Sequence, residues 1–242
     1  MKREILITKD GSTTIHLPDW NEQYHSVNGA IQEAYHVFID AGLTKILETK
    51  TKDILDKISQ KSEITRTDIS ILEIGFGTGL NAFITLLEAE KKSFNINYVG
   101  VEAYPVLDDE ISQLNYISEL KAEEKSFVFK KLHSVSWEEK HQISDHFSLK
   151  KRKQFFQEIK DENQFDLIYF DAFGATNQPE LWTVEIFEKM FSALKPNGIL
   201  TTYSAKGSVR RAMQAVGFTV ERLPGPPGKR EMLRARKQLS QD

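Results

Sequence analysis

The sequence predicts a Rossmann-like α/β fold: a mostly parallel sheet with helices on both faces, an N-terminal hairpin and helical extension, and a C-terminal antiparallel β-hairpin. Three observations predict it. Short apolar strands alternate with amphipathic helices from Ile69 onward. A glycine-rich loop, Gly75 to Gly79, separates the first of these strands from the helix after it. Acidic residues, Glu102 and Asp171, directly follow two of the predicted strands.

An N-terminal extension, residues 1–65, is predicted to precede the main domain, residues 66–242. Apolar alternation around an Asp-Gly turn predicts a hairpin, and apolar residues at helical spacing predict two helices after it. The predicted elements are a hairpin of Glu4–Thr8 and Ser12–Leu17, a helix after Asn28-Gly29 that ends at Gly42, and a helix from Thr44 to about Lys61.

The main domain is predicted to alternate strands with helices, which is typical of a parallel sheet. Phe165–Phe170 has the composition of a buried strand, whereas the charged stretch Trp137–Asn163 is predicted to be helical. The other predicted strands are Ile69–Ile74, Asn97–Val101, Phe127–Leu132 and Ile199–Tyr203. The other predicted helices contain Leu80 to Leu87, Trp182–Leu194 and Ser208–Val216, and the terminal hairpin pairs Phe218–Leu223 with Arg230–Ala235.

Composition restricts the classes of function. Hydrophobic residues make up 40% of the 242-residue chain, enough for a substantial core. Cysteine is absent, which excludes disulfides, thiolate metal sites and cysteine nucleophiles. No apolar run approaches the roughly 18–20 residues that span a bilayer, and the N-terminus lacks the apolar core of a signal peptide. We therefore expect a soluble, cytoplasmic protein with no membrane segment and no metal.

Charge is unevenly distributed along the chain. The net charge of −3 by itself argues weakly against a nucleic-acid partner. Between Lys206 and Lys237, however, nine Lys or Arg residues accompany only two acids, Glu221 and Glu231, so this basic segment carries +7 and the rest of the chain −10. Such a segment could hold a phosphate backbone, and an ordinary solvated surface is the alternative.

The glycine loop predicts the type of ligand. The run Glu73-Ile-Gly75-Phe-Gly77-Thr-Gly79 places an acid two residues before three evenly spaced glycines. A dinucleotide-binding loop needs Gly-x-Gly-x-x-Gly, and the required position holds Leu80. The observed spacing is typical of class I S-adenosylmethionine-dependent methyltransferases. Glycine suits such a loop because its turns need unusual φ/ψ angles and a Cβ would collide with the ligand.

Two acids at strand ends are the expected partners of this loop, because ligands of open α/β sheets bind beyond the carboxyl ends of the strands. Glu102 is placed to accept hydrogen bonds from both ribose hydroxyls of the cofactor. Asp171 is placed to contact the methyl acceptor, and a carboxylate suits an amine because it can orient the N–H groups and receive a proton. Phe173, Trp182 and Tyr203 could supply apolar walls; capping and core packing are the alternative roles.

Nearly the whole chain resembles the MnmC/MnmD-type family, the methyltransferase part of a bifunctional wobble-uridine tRNA enzyme and its free-standing counterpart. The four blocks that carry the resemblance are Tyr24–Phe38 (Tyr-His-Ser-Val-Asn-Gly-Ala-Ile-Gln-Glu-Ala-Tyr-His-Val-Phe), Leu72–Asn81 with Phe76, Asp171–Trp182, and Gly207–Arg211 with Gly228–Leu233. The third block departs from the family's usual Asp-Gly-Phe-x-Pro, because Ala172 replaces glycine and Ala175 stands where proline is common.

The resemblance implies a function. The chain has no room for the flavin-dependent oxidase domain of the fused enzyme, so only the last step is expected. This step is methyl transfer from S-adenosylmethionine to the 5-aminomethyl amine of the wobble uridine in tRNA, giving 5-methylaminomethyl(-2-thio)uridine. The anticodon loop would be the partner, and a separate enzyme would supply the aminomethyl precursor.

The site residues follow from the motifs and from the resemblance together. The predicted cofactor-binding residues are Glu73, Gly75, Gly77, Gly79, Asn81, Glu102 and Asp171, of which Asp171 is also catalytic. The predicted substrate-binding residues are Asn28 and Glu33 from the extension, Phe173 and Trp182 in the pocket, and Arg210, Arg211, Lys229 and Arg230 on phosphates.

Other functions fit parts of the sequence. A spermidine-synthase-like aminopropyltransferase, or another methyltransferase of small amines, would share the fold and the acid at Asp171. Its small, cationic substrate would not need the basic segment. A non-catalytic nucleoside- or RNA-binding module would retain the cofactor without turnover and would tolerate Asp171→Ala.

Overall fold

The part of the chain described by the computed structural model, residues 2–59 and 68–238 (without the side chains of 53–59), forms a large sheet covered by helices and a small N-terminal sheet. The strands are β1 (Glu4–Ile7), β2 (Thr13–Leu17), β3 (Glu22–Gln23), β4 (Ile69–Ile74), β5 (Ile96–Val101), β6 (Lys140–Ser144), β7 (Phe147–Arg152), β8 (Phe165–Phe170), β9 (Leu194–Thr202), β10 (Thr219–Pro224) and β11 (Glu231–Arg236). The helices are α1 (Ala30–Ala34), α2 (Lys45–Ser59), α3 (Leu80–Lys92), α4 (Asp108–Ile111), α5 (Tyr116–Glu119), α6 (Ser126–Ser134), α7 (Val184–Ala193) and α8 (Gly207–Ala215).

The large sheet has the strand order β10-β11-β9-β8-β4-β5-β7-β6. Its five central strands are parallel, and β6, β10 and β11 are antiparallel to their neighbours. After β4, the next parallel strands, β5 and β7, are added on one side of it, and the later strands, β8 and β9, are added on the other side. The direction in which strands are added therefore reverses at β4. The carboxyl ends of β4 and β8 therefore flank the crevice where such sheets bind ligands. The predicted Rossmann-like fold and the C-terminal hairpin are confirmed.

Two apolar layers hold the helices on the sheet. One face packs against α1, α3 and α6, and the opposite face packs against α7 and α8. Every residue of β8 is buried, as expected for a strand between two helical layers. The strongly apolar composition of Phe165–Phe170, noted in the sequence, follows from this position.

The N-terminal hairpin is confirmed, because β1 pairs antiparallel with β2, Glu4 opposite His16 and Ile7 opposite Thr13. The predicted helix end at Gly42 is wrong. Helix α1 continues through a π-helical segment, Tyr35–Thr44, directly into α2. A Cβ on Gly42 would lie 3.2 Å from the Thr201 side chain, so this glycine lets the helix approach β9 closely instead of ending it.

The second predicted helix corresponds to α2, whose predicted end near Lys61 lies outside the described residues. The predicted boundary between residues 65 and 66 lies outside them as well. The two-part division of the chain therefore stays a prediction. The extension nevertheless shares a core with the main domain, because Val37 and Phe38 belong to the same buried cluster as Ile71 and Tyr169.

Two predictions between residues 127 and 163 are wrong. Phe127–Leu132 is part of helix α6, in which Phe129 and Leu132 are buried at helical spacing while Phe127 is exposed. The stretch Trp137–Asn163, predicted to be helical, contains β6, β7 and a short 3₁₀ turn.

The alternation of inward-facing side chains along β7 is hard to recognise in the sequence, because one of the inward positions holds a lysine. Phe147, Leu149 and Lys151 all point into the core, and the buried Lys151 ammonium donates to the His133 carbonyl and lies 4.9 Å from the centre of the Trp137 ring. Burial lowers the pKa of Lys151 to about 8. A lysine thus occupies a core position that sequence patterns reserve for apolar residues.

The remaining main-domain predictions are confirmed with small shifts of their ends. Strand β9 begins earlier than expected, at Leu194, because Lys195-Pro-Asn-Gly198 forms an irregularity within the strand rather than a turn before it. The confirmed elements are β4, β5, β8, α3, α7, α8 and the β10–β11 hairpin.

Candidate active site

The loop between β4 and α3 is tied to both neighbouring strands. The backbone N–H groups of Gly75 and Phe76 both donate to the Val101 carbonyl at 3.0 Å, and the N–H of Asp171 donates to the Ile74 carbonyl at 2.9 Å. These bonds hold the ends of β4, β5 and β8 together. The glycine loop, Glu102 and Asp171 are therefore neighbours, as the strand-end argument predicted.

The three glycines of the loop are needed for their backbone angles and for close contacts within the protein. All have positive φ, +91° at Gly75, +46° at Gly77 and +71° at Gly79. A Cβ on Gly75 would lie 2.7 Å from the carbonyl oxygen of Asp171, and one on Gly77 would lie 2.9 Å from the ring of Tyr24. The unusual backbone angles expected from the sequence are confirmed, and the close neighbours of Gly75 and Gly77 are other parts of the chain.

Glu73 and Asn81 lie beneath the loop and position Asp171. The amide of Asn81 donates to Glu73 Oε1 at 2.9 Å and to Asp171 Oδ2 at 2.8 Å. Glu73 is fully buried and Asn81 is 2% exposed, so neither lines the adjoining cleft. Burial raises the pKa of Glu73 well above its usual value, because desolvation disfavours the carboxylate.

Glu102 stands at the end of β5 with its carboxylate held by backbone. Its Oε2 accepts from Gly77 N at 3.0 Å and its Oε1 accepts from Tyr104 N at 2.9 Å. Burial raises the pKa of Glu102, and these two hydrogen bonds oppose that rise. Each carboxylate oxygen keeps a lone pair for a further donor, as contact with two ribose hydroxyls requires.

A cleft of about 250 Å³ opens in front of the glycine loop, lined by Glu102, Asp171, Gly75 and Gly77. Aromatic and apolar residues make up much of its remaining wall. The lining residues that sequence analysis missed include Arg3, Trp20, Tyr24, Tyr104, Phe155 and Phe156. These features fit S-adenosylmethionine. The Glu102 carboxylate can accept hydrogen bonds from ribose hydroxyls, the flat apolar walls can pack against a purine, and the glycine loop has no side chains in the way of the cofactor.

A second pocket of about 180 Å³ adjoins the first. Of the predicted residues, Asn28, Glu33, Asp171, Phe173 and Lys229 line it. The residues that line both cavities are Tyr24, His25, Asp171, Ala172 and Phe173. The rings of Tyr24 and Phe173 meet edge to face at 5.0 Å, so an aromatic pair and the Asp171 carboxylate stand where the cavities meet.

The surroundings of Asp171 raise the pKa of its carboxyl group toward neutral pH. Burial raises its pKa to about 7, the nearby Glu33 carboxylate adds to that rise, and the Asn81 hydrogen bond and the Lys229 ammonium oppose it. A carboxyl group with this pKa exchanges a proton readily at neutral pH. It is suited to acid–base work on a ligand in either cavity.

Lys229 lies inside the second pocket. Its ammonium contacts Glu33 Oε1 and lies 3.8 Å from the centre of the Tyr203 ring. Glu33 itself is buried, with its other oxygen accepting from Ser26 N at 2.9 Å. Lys229 was predicted to contact phosphates. In the structure its ammonium contacts Glu33 and the Tyr203 ring inside the pocket.

The other predicted substrate residues lie outside both cavities. The Trp182 indole N–H donates to the Phe173 carbonyl at 2.8 Å and its ring packs on Phe170, so it supports the pocket from behind. Arg210 and Arg211 lie on α8, and Arg230 lies at the tip of the terminal hairpin. Their proposed contacts with substrate stay predictions.

Much of the charge of the basic segment is already engaged. Arg234 pairs with Glu221 at 2.7 Å, Arg222 lies 3.8 Å from Glu231, and Lys229 pairs with Glu33. Within the described ranges, Arg210, Arg211 and Arg230 have no carboxylate partner. The total of +7 already subtracts Glu221 and Glu231, so of these pairs only Lys229–Glu33 lowers it further.

Sequence analysis also missed the network that joins the extension to the glycine loop. His25 Nε2 lies 2.7 Å from Thr78 Oγ1, which also accepts from Tyr116 OH at 3.1 Å. Burial lowers the pKa of His25 to about 4, so the ring is neutral at pH 7. The signal was present, because Tyr24-His25 begins the first block of the resemblance. Phe155 and Phe156 gave no such signal, because their segment was predicted to be helical.

Comparison with known proteins defines the class. Residues 119–238 match the model of a family described as S-adenosyl-L-methionine-dependent methyltransferase. This match spans just under half of the chain, and together with the fold and the cleft it supports S-adenosyl-L-methionine-dependent methyl transfer. The predicted enzyme class and cofactor are confirmed.

Within that class, the chain is similar to proteins named tRNA 5-methylaminomethyl-2-thiouridine biosynthesis bifunctional protein MnmC. The Leptospira interrogans protein is 28% identical over 88% of this chain, and that of Pseudomonas savastanoi pv. phaseolicola is 25% identical over 89%. The chain spans about a third (32%) of the length of either relative. The resemblance identified in the sequence is thereby confirmed.

Solved structures agree on the fold. The structure of MnmC2 from Aquifex aeolicus matches with a TM-score of 0.70 and 24% identity, covering 97% of this chain and 70% of that one. Spermidine synthase from Thermotoga maritima matches with a TM-score of 0.55 and 14% identity, covering 98% and 69%. The fold alone therefore does not separate methyl transfer from aminopropyl transfer.

Two further observations concern the described residues alone. None of their helices has the length and apolar character needed to cross a membrane. Nor do three His, Asp or Glu side chains in that part of the chain converge in an arrangement that could hold a metal ion.

Proposed function

We propose that this chain transfers a methyl group from S-adenosylmethionine to the 5-aminomethyl amine of the wobble uridine in tRNA. The observation that carries the proposal is the pair of adjoining cavities that share Asp171. One cavity fits the cofactor, and the other is small and lined by carboxylates, as a primary amine requires. The names of the similar proteins supply the nucleoside.

The chemistry asked of the protein is modest. The cofactor supplies an electrophilic methyl group on a sulfonium. The amine nitrogen attacks that carbon, the carbon–sulfur bond breaks, and the nitrogen loses a proton. Asp171 orients the amine and receives the proton, for which a pKa of about 7 is well matched at neutral pH. Tyr24 and Phe173 restrict water at the junction of the cavities.

The roles assigned to single residues form part of this proposal. Glu102 binds the ribose hydroxyls, the glycines let the cofactor approach the loop, and Glu73 and Asn81 hold Asp171 from below. Asn28, Glu33 and Phe173 form the acceptor pocket, and Arg210, Arg211 and Arg230 contact phosphates of the anticodon arm. A tRNA substrate also places the reaction in the cytoplasm, with a separate enzyme supplying the aminomethyl group.

The specific alternative is aminopropyl transfer, which the likeness to spermidine synthase brings into consideration. Its acceptor would be a free polyamine, which several pocket carboxylates would hold by its charges. Lys229 inside the acceptor pocket disfavours such a polycation.

The proposal is tested with methyl-labelled S-adenosylmethionine and tRNA that carries the aminomethyl but not the methylaminomethyl group. We expect label in 5-methylaminomethyl(-2-thio)uridine after nuclease digestion. Asp171→Asn should reduce turnover by at least about a hundredfold with little change in cofactor affinity, because it removes the base and leaves the cleft. The matched control is Asp19→Asn, an exposed carboxylate outside both cavities. Label in putrescine rather than tRNA, or turnover that survives Asp171→Asn, would contradict the proposal.

A further inference from the structure

We propose that Lys229, paired with Glu33, is a positioning residue that sets the charge of the acceptor pocket so that the acceptor amine is held as the neutral base. The inference rests on the proposed function and extends it. It gives Lys229 a role in the reaction in place of the phosphate contact expected from the sequence.

The fold places this ammonium close to the site. Lys229 lies in the turn between β10 and β11, and the turn packs against the start of the N-terminal helix. Gly228 has φ +84°, and a Cβ there would collide with the Asn28 amide, so glycine allows the close approach. The lysine side chain, 30% exposed, then reaches Glu33 Oε1 and the face of Tyr203.

Tyr203 fixes the position of the cation. Its hydroxyl donates to the Ala172 carbonyl at 2.8 Å, next to Asp171. Burial raises the pKa of Tyr203 well above its usual value, so the ring is neutral and its face attracts the ammonium. The cation is thus held by a carboxylate and an aromatic face, both of which line the same pocket as Asp171.

Without Lys229 the charged side chains that line the second pocket would be carboxylates: Glu22, Glu33 and Asp171. The titratable or charged groups that line either cavity with Asp171, or act on its carboxyl from the core, are Arg3, Glu22, Tyr24, His25, Glu33, Glu73, Tyr98, Glu102, Tyr104, Glu180, Tyr203 and Lys229. Burial keeps His25, Tyr98 and Tyr203 neutral at pH 7. Arg3 lies in the first cavity and pairs with Glu110, so among the described residues Lys229 is the cation of the second pocket.

Without that cation, Glu33 and Asp171 would bind the acceptor as ammonium, which has no lone pair for attack. A fixed positive charge disfavours the ammonium form and lowers the pKa of a nearby amine, as neighbouring cations do for catalytic lysines. It also lowers the pKa of Asp171, which keeps that carboxylate ionised to receive the proton. Both effects raise the fraction of enzyme ready to react at neutral pH.

The proposal predicts the direction in which turnover changes with pH. Turnover needs Asp171 ionised and the amine neutral, so kcat rises as pH rises through their pKa values. Lys229→Met removes the charge that lowers both, so the rise should move to higher pH by about one to two units. Removal of both charges, in the double variant Glu33→Gln with Lys229→Met, should return the rise close to its wild-type position.

The test compares pH profiles of kcat and KM for tRNA in four variants: Lys229→Met, Lys229→Arg, the double variant, and Arg222→Met as the matched control on the same hairpin. Lys229→Arg keeps the charge and should keep the profile. Arg222→Met should leave the position of the profile unchanged. The double variant guards against misfolding, because it leaves no buried charge unpaired.

A contact of Lys229 with phosphate predicts the opposite pattern. In that case Lys229→Met would raise KM, flatten the salt dependence of tRNA binding and leave the pH profile of kcat in place. That result would overturn the inference.

A second measurement does not need the tRNA reaction. The Asp171 carboxyl can be titrated by ¹³C NMR, assigned by the disappearance of its signal in Asp171→Asn. Its pKa should be higher in Lys229→Met than in wild type and lower in Glu33→Gln. An unchanged titration in Lys229→Met overturns the inference about charge. The expected shift together with a wild-type enzyme that does not methylate tRNA upholds the inference about charge and overturns the proposed function.

Discussion

Glu73, Glu102 and Asp171 lie at neighbouring strands, and burial raises the pKa of each carboxyl. Glu73 is fully buried beneath the loop, whereas Asp171 lines both cavities with a pKa of about 7. Glu102 is held by two backbone N–H groups. One Asn81 amide contacts both Glu73 and Asp171, so a structural acid and a candidate base are held by the same side chain.

Glu102→Ala should weaken S-adenosylmethionine binding by roughly 10–100-fold, because the variant cannot make charge-assisted hydrogen bonds to the ribose. The dissociation constant can be measured by calorimetry. Glu48→Ala, which replaces an exposed carboxylate on α2, is the control and should bind normally. Normal cofactor affinity in Glu102→Ala would remove Glu102 from the cofactor site.

At the scale of the element, the loop between β4 and α3 couples cofactor and acceptor through backbone. Gly75 packs against the carbonyl of Asp171 itself, so the geometry of the loop also determines where the catalytic carboxylate lies. The glycine spacing is therefore a requirement of the joint between two strands as well as of the ligand.

Gly75→Ala should lower the free energy of unfolding by about 1–3 kcal/mol and abolish methyl transfer, since the backbone is strained and the end of β8 must shift. Gly217→Ala is the matched control. It has a similar φ of +100°, but its Cβ would meet Phe191 at an ordinary 3.4 Å. Both should melt at lower temperature, and only Gly75→Ala should lose activity. Full activity in Gly75→Ala would contradict this coupling.

At the scale of the whole molecule, a polyanion such as tRNA is attracted by the positive charges that are not already paired with carboxylates of the chain. Arg234, Arg222 and Lys229 face acids of the chain, whereas Arg210 and Arg211 have no carboxylate partner in the described ranges. Within the basic segment, these two arginines on α8 are therefore the ones that we expect to bind phosphate.

Replacing Arg210 and Arg211 with Ala should weaken tRNA binding and reduce the slope of log affinity against log salt by about 0.7–0.9 for each phosphate that these arginines neutralise. Fluorescence titration at several salt concentrations measures this slope. Arg222→Ala is the control, because Arg222 lies near Glu231. An unchanged slope in the double variant would mean that these arginines are merely solvated.

The sequence by itself determined the class of fold, the glycine loop and its two acids, because these depend on local periodicity and on spacing within a few residues. The all-apolar Phe165–Phe170 and the even glycines could be interpreted without any distant contact. The family resemblance added Asn28 and Glu33, which local patterns leave as surface and cap.

Only the tertiary structure decided where helices and strands with mixed patterns fall and which charges meet. Phe127–Leu132 has strand-like composition, yet burial at helical spacing makes it a helix. Strand β7 pairs with β5 despite its lysines, because Lys151 finds a carbonyl and an aromatic ring inside. Lys229 and Glu33, 196 residues apart, form one pocket because two loops pack together. Such contacts depend on which surfaces meet after folding, and no local pattern records them.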